Sequence, residues 1–280
     1  MDMSNNLFEV GIINDVLECG MAEPYTISSI YKPLTRFDDG LRCDVFCVEE
    51  KKQEIVNNQC VSCNTLHHQY NEEGLRIYHE ENIYGDIGRY SYEYSDGILM
   101  HVKLLRNGYV NEQWRFLYDK THLSKVDCRV YESEGCIETH EIIPIKCNER
   151  GCVVEENGRE KRQYTYDSLG HVLTASPLVS SLFGFTSLVV PSWEYKFEFD
   201  NYGLLIKKQI RYGNTTLCEL YNRNKNGDII DVETTRSDGH QETKHMDYTY
   251  DDKGNWITCR MKCQNKNFFV QRVIAYFDEV

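Results

Sequence analysis

The stretch that decides the fold is Tyr248-Thr249-Tyr250-Asp251-Asp252-Lys253-Gly254-Asn255-Trp256-Ile257. It reads as aromatic, any residue, aromatic, Asp, two turn residues, Gly, then an apolar restart. The same phrase occurs at Tyr164-Thr165-Tyr166-Asp167-Ser168-Leu169-Gly170 and at Phe197-Glu198-Phe199-Asp200-Asn201-Tyr202-Gly203. Residues two apart on a strand point the same way, so the paired aromatics share one face. The Asp side chain can accept from backbone N–H groups two residues on and close an Asx turn. Gly supplies the positive φ that the turn needs. Each residue of the phrase therefore has a structural task, and the phrase by itself calls for no ligand.

Shortened or degenerate copies extend toward the N-terminus: Phe37-Asp38-Asp39-Gly40, Tyr70-Asn71-Glu72-Glu73-Gly74, Tyr92-Glu93-Tyr94-Ser95-Asp96-Gly97, Tyr118-Asp119 without its Gly, Cys147-Asn148-Glu149-Arg150-Gly151 and Tyr221 to Gly227. Second turn signals fall between them, at Asn107-Gly108, Asn157-Gly158, Tyr212-Gly213-Asn214 and Asp238-Gly239. Two turns per unit imply two strands per unit, and Asn-Gly and Asp-Gly are strong hairpin signals. The fold class is all-β: an antiparallel β-meander repeat array of about 16–20 strands, one strongly coiled sheet or two packed ones, because open twisted sheets rarely exceed about 10 strands. Edge strands of an open array could pair with another copy. The 20 Tyr, 11 Phe and 3 Trp suit such pleated surfaces.

With those residues in view, the chain resembles the YD repeats of Rhs-type proteins, and in particular short YD-repeat proteins of Bacteroidetes type. Asn255-Trp256 after the last turn Gly, and Arg272-Val273-Ile274-Ala275-Tyr276 at the end, carry the likeness, which is clearest over residues 160–280. In large Rhs proteins such repeats wind into a hollow shell around a toxin domain. This chain is too short for that shell and lacks the Rhs core protease signature, so the resemblance implies architecture more than activity.

Residues 1–36 lack the phrase and are expected to cap the array, since repeat arrays shield their ends. Residues 37–280 form the repeat domain. An uncharged apolar insertion spans about 172–193, where Gly170 and Gly203 lie 33 residues apart. Its densest part, 178–190, is shorter than the roughly 20 residues a membrane helix needs. It is expected to cover a sheet face, or to bind a partner through Leu182, Phe183, Phe185 and Trp193.

The formal net charge of −13 argues against nucleic acid and permits a basic partner protein. Met1 to Asn6 carry no basic leader, so the chain as written reads as cytoplasmic with 12 thiols, and as secreted or surface-located if a leader precedes it. Cys60-x-x-Cys63 followed by His67 and His68 is a weak metal candidate, for it lacks a second ligand pair at zinc spacing. No catalytic motif and no cofactor are expected. The sequence points to a non-catalytic scaffold or protein-binding module. The alternatives are a carbohydrate-binding module using Trp193 and Trp256, and an acidic inhibitor of a basic protein such as a toxin.

Overall fold

The computed structural model describes residues 35–279 apart from 38, 58, 134–135, 159–160, 178–192, 213 and 265. Eighteen strands follow in chain order: β1 Val45–Val56, β2 Gln59–Tyr70, β3 Arg76–Ile83, β4 Asp86–Ser95, β5 Ile98–Arg106, β6 Tyr109–Asp119, β7 His122–Ser133, β8 Cys136–Cys147, β9 Val153–Asn157, β10 Lys161–Tyr166, β11 Val172–Pro177, β12 Trp193–Phe199, β13 Leu205–Tyr212, β14 Thr215–Arg223, β15 Ile229–Arg236, β16 Gln241–Tyr250, β17 Trp256–Cys263 and β18 Lys266–Tyr276. Each pairs antiparallel with its sequence neighbours. The last then pairs with the first, from Val45 opposite Tyr276 to Ile55 opposite Asn267. The all-β meander is thus one sheet closed into a barrel, not an open coil or two packed sheets. Closure removes the free edges on which strand pairing with another copy would have depended.

The Asp/Gly turns follow even-numbered strands, while most odd-numbered strands are followed by short hairpins and β11 by residues 178–192, so the barrel has two chemically different rims. At the Asp/Gly rim the Asx geometry is as the phrase implies. Asp167 Oδ1 accepts from the backbone N–H groups of Leu169, Gly170 and His171 at 2.8–2.9 Å. Asn148 and Asn224 make the same turns with an amide oxygen. Gly227 (φ +86°) and Gly254 (φ +83°) occupy the left-handed position.

The aromatics of the phrase have a second task that the sequence reading missed. A hydroxyl from the position before the Asp, or in the last copy from Tyr248 two residues earlier, reaches back to the first residues after the previous turn. Tyr94 donates to the Arg76 carbonyl at 2.7 Å, Tyr118 to Leu99 at 2.8 Å, Tyr166 to Val153 at 2.5 Å and Tyr248 to Ile229 at 2.7 Å. In the degenerate copies the donor survives in another form: Cys147 Sγ lies 3.3 Å from the Leu123 carbonyl, and Arg223 Nη2 lies 3.2 Å from that of Leu205. Tyr70, Tyr250 and Tyr276 donate instead to the carboxylates of Asp39, Asp228 and Asp251. These contacts tie each unit to its predecessor around the rim. Phe199 has no such donor, and its ring stacks on His171 with centroids 4.7 Å apart. Tyr118→Phe is expected to lower the free energy of unfolding by about 0.5–1.5 kcal/mol, measured by urea denaturation, since it orphans one backbone acceptor.

Inward-facing residues are mostly apolar: Met246, Met261, Cys259, Trp256, Phe116, Leu205 and Tyr195 belong to one continuous buried cluster. Buried charges among them are paired, as Lys208 with Glu219 at 3.4 Å and Arg272 with Glu50 at 2.9 Å. Outward positions are largely polar, with Ile142, Leu220 and Val273 among the exposed exceptions. On β16 the outward residues are Gln241, Thr243, His245, Asp247 and Thr249, and on β17 Arg260 and Lys262 are exposed. A lipid-facing barrel carries an apolar outer band, and one Arg or Lys at the bilayer midplane costs about 2–4 kcal/mol. The outward faces of β16 and β17 do not form such a band.

Candidate functional site

The densest group of buried ionisable side chains lies inside the barrel beside the β18–β1 seam. Residues 35–37 and 39–44 run along the Asp/Gly rim as a strap. Thr35 bridges to Leu75, and Arg36 N–H bonds the Gly74 carbonyl at 2.9 Å. Gly40 N–H bonds the Phe37 carbonyl at 3.0 Å, so the shortened Phe37 copy does form a turn. At its far end the Arg42 guanidinium bonds the carbonyls of Gly254 and Asn226, while Arg42 N–H donates to Asn255 Oδ1 at 2.6 Å. Asn255 returns a bond to the Arg42 carbonyl at 3.0 Å and another to the Tyr276 hydroxyl at 2.8 Å. The strap therefore spans the two sides of the seam.

Under the strap, Asp39 is buried and receives Tyr70 Oη at 2.6 Å, Arg76 Nε at 3.2 Å and Arg76 Nη2. Burial alone would raise the Asp39 carboxyl, but the Arg76 guanidinium outweighs it and holds the group well below the ordinary carboxylate range. Beside it the rings of His68 and His79 stack with centroids 4.7 Å apart and their Nδ1 atoms 3.2 Å apart. Burial depresses both imidazoles below 6.5, and the nearby Arg76 adds to the effect. His79 reaches Glu81 at 3.7 Å, and Arg106 reaches Glu81 at 3.9 Å. Across the seam, Arg272 lies flat on the Trp256 ring at 3.4 Å while its Nε bonds Glu50. Arg272 Nη1 has no hydrogen-bond partner, and the aromatic face takes its place.

Chemically this is a latch. The carboxylate is tied to a cation and a phenol, the imidazoles are neutral and stacked, and no nucleophile touches either. Glu112, on the inward side of β6, is pushed up to about 6 by burial. Its neighbour Cys128 is pushed up to about 12, again by burial first, so it stays a thiol. A carboxyl titrating near 6 beside an unreactive thiol makes no acid–base pair.

The sequence-derived candidates fall as follows. Cys60 and Cys63 are exposed on β2, whereas His68 is buried on its inward face, so Cys60, Cys63, His67 and His68 do not converge. Among the described residues no group of three or more His, Cys, Asp or Glu is placed to hold a metal. Trp256 is 2 % exposed and its ring is occupied by Arg272, so it presents no face to a sugar. Trp193 begins β12 opposite Tyr212. Leu182, Phe183, Phe185 and the core of the 172–193 insertion lie outside the described residues, as does almost all of the 1–36 cap. Sequence reasoning missed Asp39, Arg76, His68 and His79 as one cluster. Its only signal was that Asp39 belongs to a copy of the phrase, while His68 stands on β2 and Arg76 and His79 stand three residues apart on β3.

No family model matches the chain, and no curated protein matches it. Among solved structures it is similar to a porin-like protein from Bacteroides uniformis ATCC 8492 (12 % identity, 84 % of this chain and 99 % of that one, TM-score 0.46). It is also similar to a porin-like protein from Bacteroides vulgatus ATCC 8482 (13 % identity, 81 % and 97 %, TM-score 0.40). A third is the TcdB2-TccC3-Cdc42 structure (13 % identity, TM-score 0.32), where the match covers 81 % of this chain and 16 % of that one. All three scores lie below 0.5, and nothing of those proteins' biology transfers to this chain on that footing.

Proposed function

We propose that the chain is a non-catalytic β-repeat scaffold of YD/Rhs-like kind that acts by binding another protein. The observation that carries this reading is the pairing of its buried ionisable groups with one another. Asp39 with Arg76, Glu50 with Arg272 and Lys208 with Glu219 consume the chemistry an active site would need to leave available. The charged outward strands fit a barrel that works in water, on whichever side of a membrane it resides. The formal charge of −13 favours a basic partner, which keeps the acidic-inhibitor reading as a special case. The sugar-binding alternative loses Trp256 as a platform.

The test is capture from a lysate of the source cell on the immobilised intact chain, and on a chain lacking 178–192. The expected result is saturable, near-stoichiometric retention of one protein, weakened by raised salt. Loss of that protein on deletion, with the barrel still folded, would place the contact on the inserted segment. Consumption of a small molecule from a metabolite extract, with no protein retained, would overturn the scaffold reading.

A further inference from the structure

The rim opposite the Asp/Gly turns is uneven. Its hairpins follow odd-numbered strands, and four consecutive ones (β1–β2, β3–β4, β5–β6, β7–β8) carry large apolar side chains held out in water: Val56, Val61, Tyr84, Tyr109 and Ile137. Further round the same rim the β15–β16 tip is Ser237-Asp238-Gly239-His240, and the β17–β18 tip carries Gln264 and Lys266. Neighbouring strands lie about 4.8 Å apart, so successive hairpins on one rim are about 10 Å apart and the four tips make a crescent.

A second observation singles out one tip. Left-handed backbone is adopted by Asn57 (φ 51°) in the β1–β2 hairpin and by Asn107 (φ 53°) in the β5–β6 hairpin, and Asn suits it. The equivalent place between β3 and β4 holds Tyr84 (φ 53°), which is 71 % exposed. A bulky ring in that conformation is strained, and its exposure brings no packing in return. Strain kept at an exposed site marks a side chain retained for contact rather than for folding.

The charge around the tips is mixed but leans acidic, and the cations there, Arg106 and Lys266, are paired with Asp86 and Glu54. Asp86, Glu132 and Glu138 are exposed there. Arg106, in the same hairpin ends, is taken by Asp86 and lies near Glu81.

We propose that this crescent docks a protein surface presenting aliphatic or aromatic side chains ringed by Lys and Arg. The proposal rests on the scaffold reading and adds the place of contact and the chemistry of the partner. The apolar tips supply the buried centre, and the acids at their margin steer the encounter and reject acidic surfaces.

The probes are three labelled 18-residue amphipathic helices, built from Leu/Lys, Leu/Glu and Ser/Lys, titrated by fluorescence anisotropy at physiological salt. The Leu/Lys helix is expected to bind at least tenfold more tightly than either of the others. The triple variant V61S/Y84S/Y109S is expected to weaken it at least tenfold, and L169S/Y202S, on the opposite rim, to leave it unchanged. Because the triple variant could misfold, the single Tyr84→Asn separates the effects. It should raise the Tm by relieving strain and still weaken the helix at least threefold. Equal affinity for the Leu/Glu helix, no binding of any helix, or insensitivity to the crescent variants would overturn the proposal. So would crescent-dependent binding to neutral phosphatidylcholine vesicles in place of the helix, which would assign the rim to lipid. If the crescent variants still capture the lysate protein, the place of contact fails while the scaffold reading stands.

Discussion

Arg76→Met is expected to lower the free energy of unfolding by about 3–5 kcal/mol, because it strands a carboxylate where water cannot reach it. Asp39 and Arg76 have side chains only 6 % and 4 % exposed, and their bond joins the strap to β3. The loss should exceed that of any single surface ion pair. The outward Lys103–Glu93 pair at 2.7 Å, for instance, is worth about 0.2–1 kcal/mol at most. The double variant D39L/R76M is expected to regain most of the loss, since replacing both charges by apolar groups removes the desolvation cost with the attraction. Urea unfolding of the four proteins in the cycle gives the coupling. Amide exchange should show Leu41 and Gly74 losing protection in Arg76→Met before the distant β12–β15 strands do. If Arg76→Met costs less than 1 kcal/mol, the latch is not what holds the strap.

Acid is expected to weaken the fold well above the range where carboxylates protonate. His68 and His79 are depressed in the folded state by burial, while the unfolded chain takes up protons on both near 6.5. Below that pH the unfolded state binds more protons than the folded one, so stability falls as pH falls. With two histidines involved, the slope approaches about 2.7 kcal/mol per pH unit until the folded values are reached. Glu112 opposes it. Its carboxyl is raised to about 6 in the fold, so the folded state gains a proton there before the unfolded chain does. Asp39 is depressed, so its contribution is present above the ordinary carboxylate range and is lost only at much lower pH. Urea midpoints measured from pH 7.5 to 5 should fall steeply in the native chain and much less in the double variant H68Q/H79Q. Parallel slopes in the two proteins would remove the histidine pair as the cause.

The seam explains why these effects concentrate in one place. Elsewhere around the rim, consecutive units are joined by a covalent turn, and at most of them also by a tyrosine, or its Cys or Arg substitute, reaching back one unit; Phe199 is an exception. Between β18 and β1 the chain has no turn. The strap, with Asp39 under one end and Arg42 clamped on the carbonyls of Asn226 and Gly254 at the other, supplies by one ion pair and hydrogen bonds what covalent connection supplies elsewhere.

Much of this protein was decided within single stretches of its sequence. Tyr250-Asp251 to Gly254, and its copies, set alternating faces, Asx turns and left-handed glycines. Those are interactions over two to five residues, and they sufficed to specify strands, hairpins, meander order and a strand number close to the eighteen observed. What the tertiary structure alone decided is how the two ends of the chain meet and what that meeting buries. It made β18 pair with β1, turning a sheet with edges into a barrel without them. It brought Glu50 to Arg272 and turned Trp256 from a candidate platform into a buried partner of that guanidinium. The physical reason is that closure depends on the accumulated twist and tilt of all eighteen strands, and no local phrase encodes the sum. The tyrosine hydroxyls lie between the two cases: Tyr94, Tyr118, Tyr166 and Tyr248 are written in the repeats, yet the acceptor of each is a backbone carbonyl of the preceding unit, which only the folded sheet brings within reach.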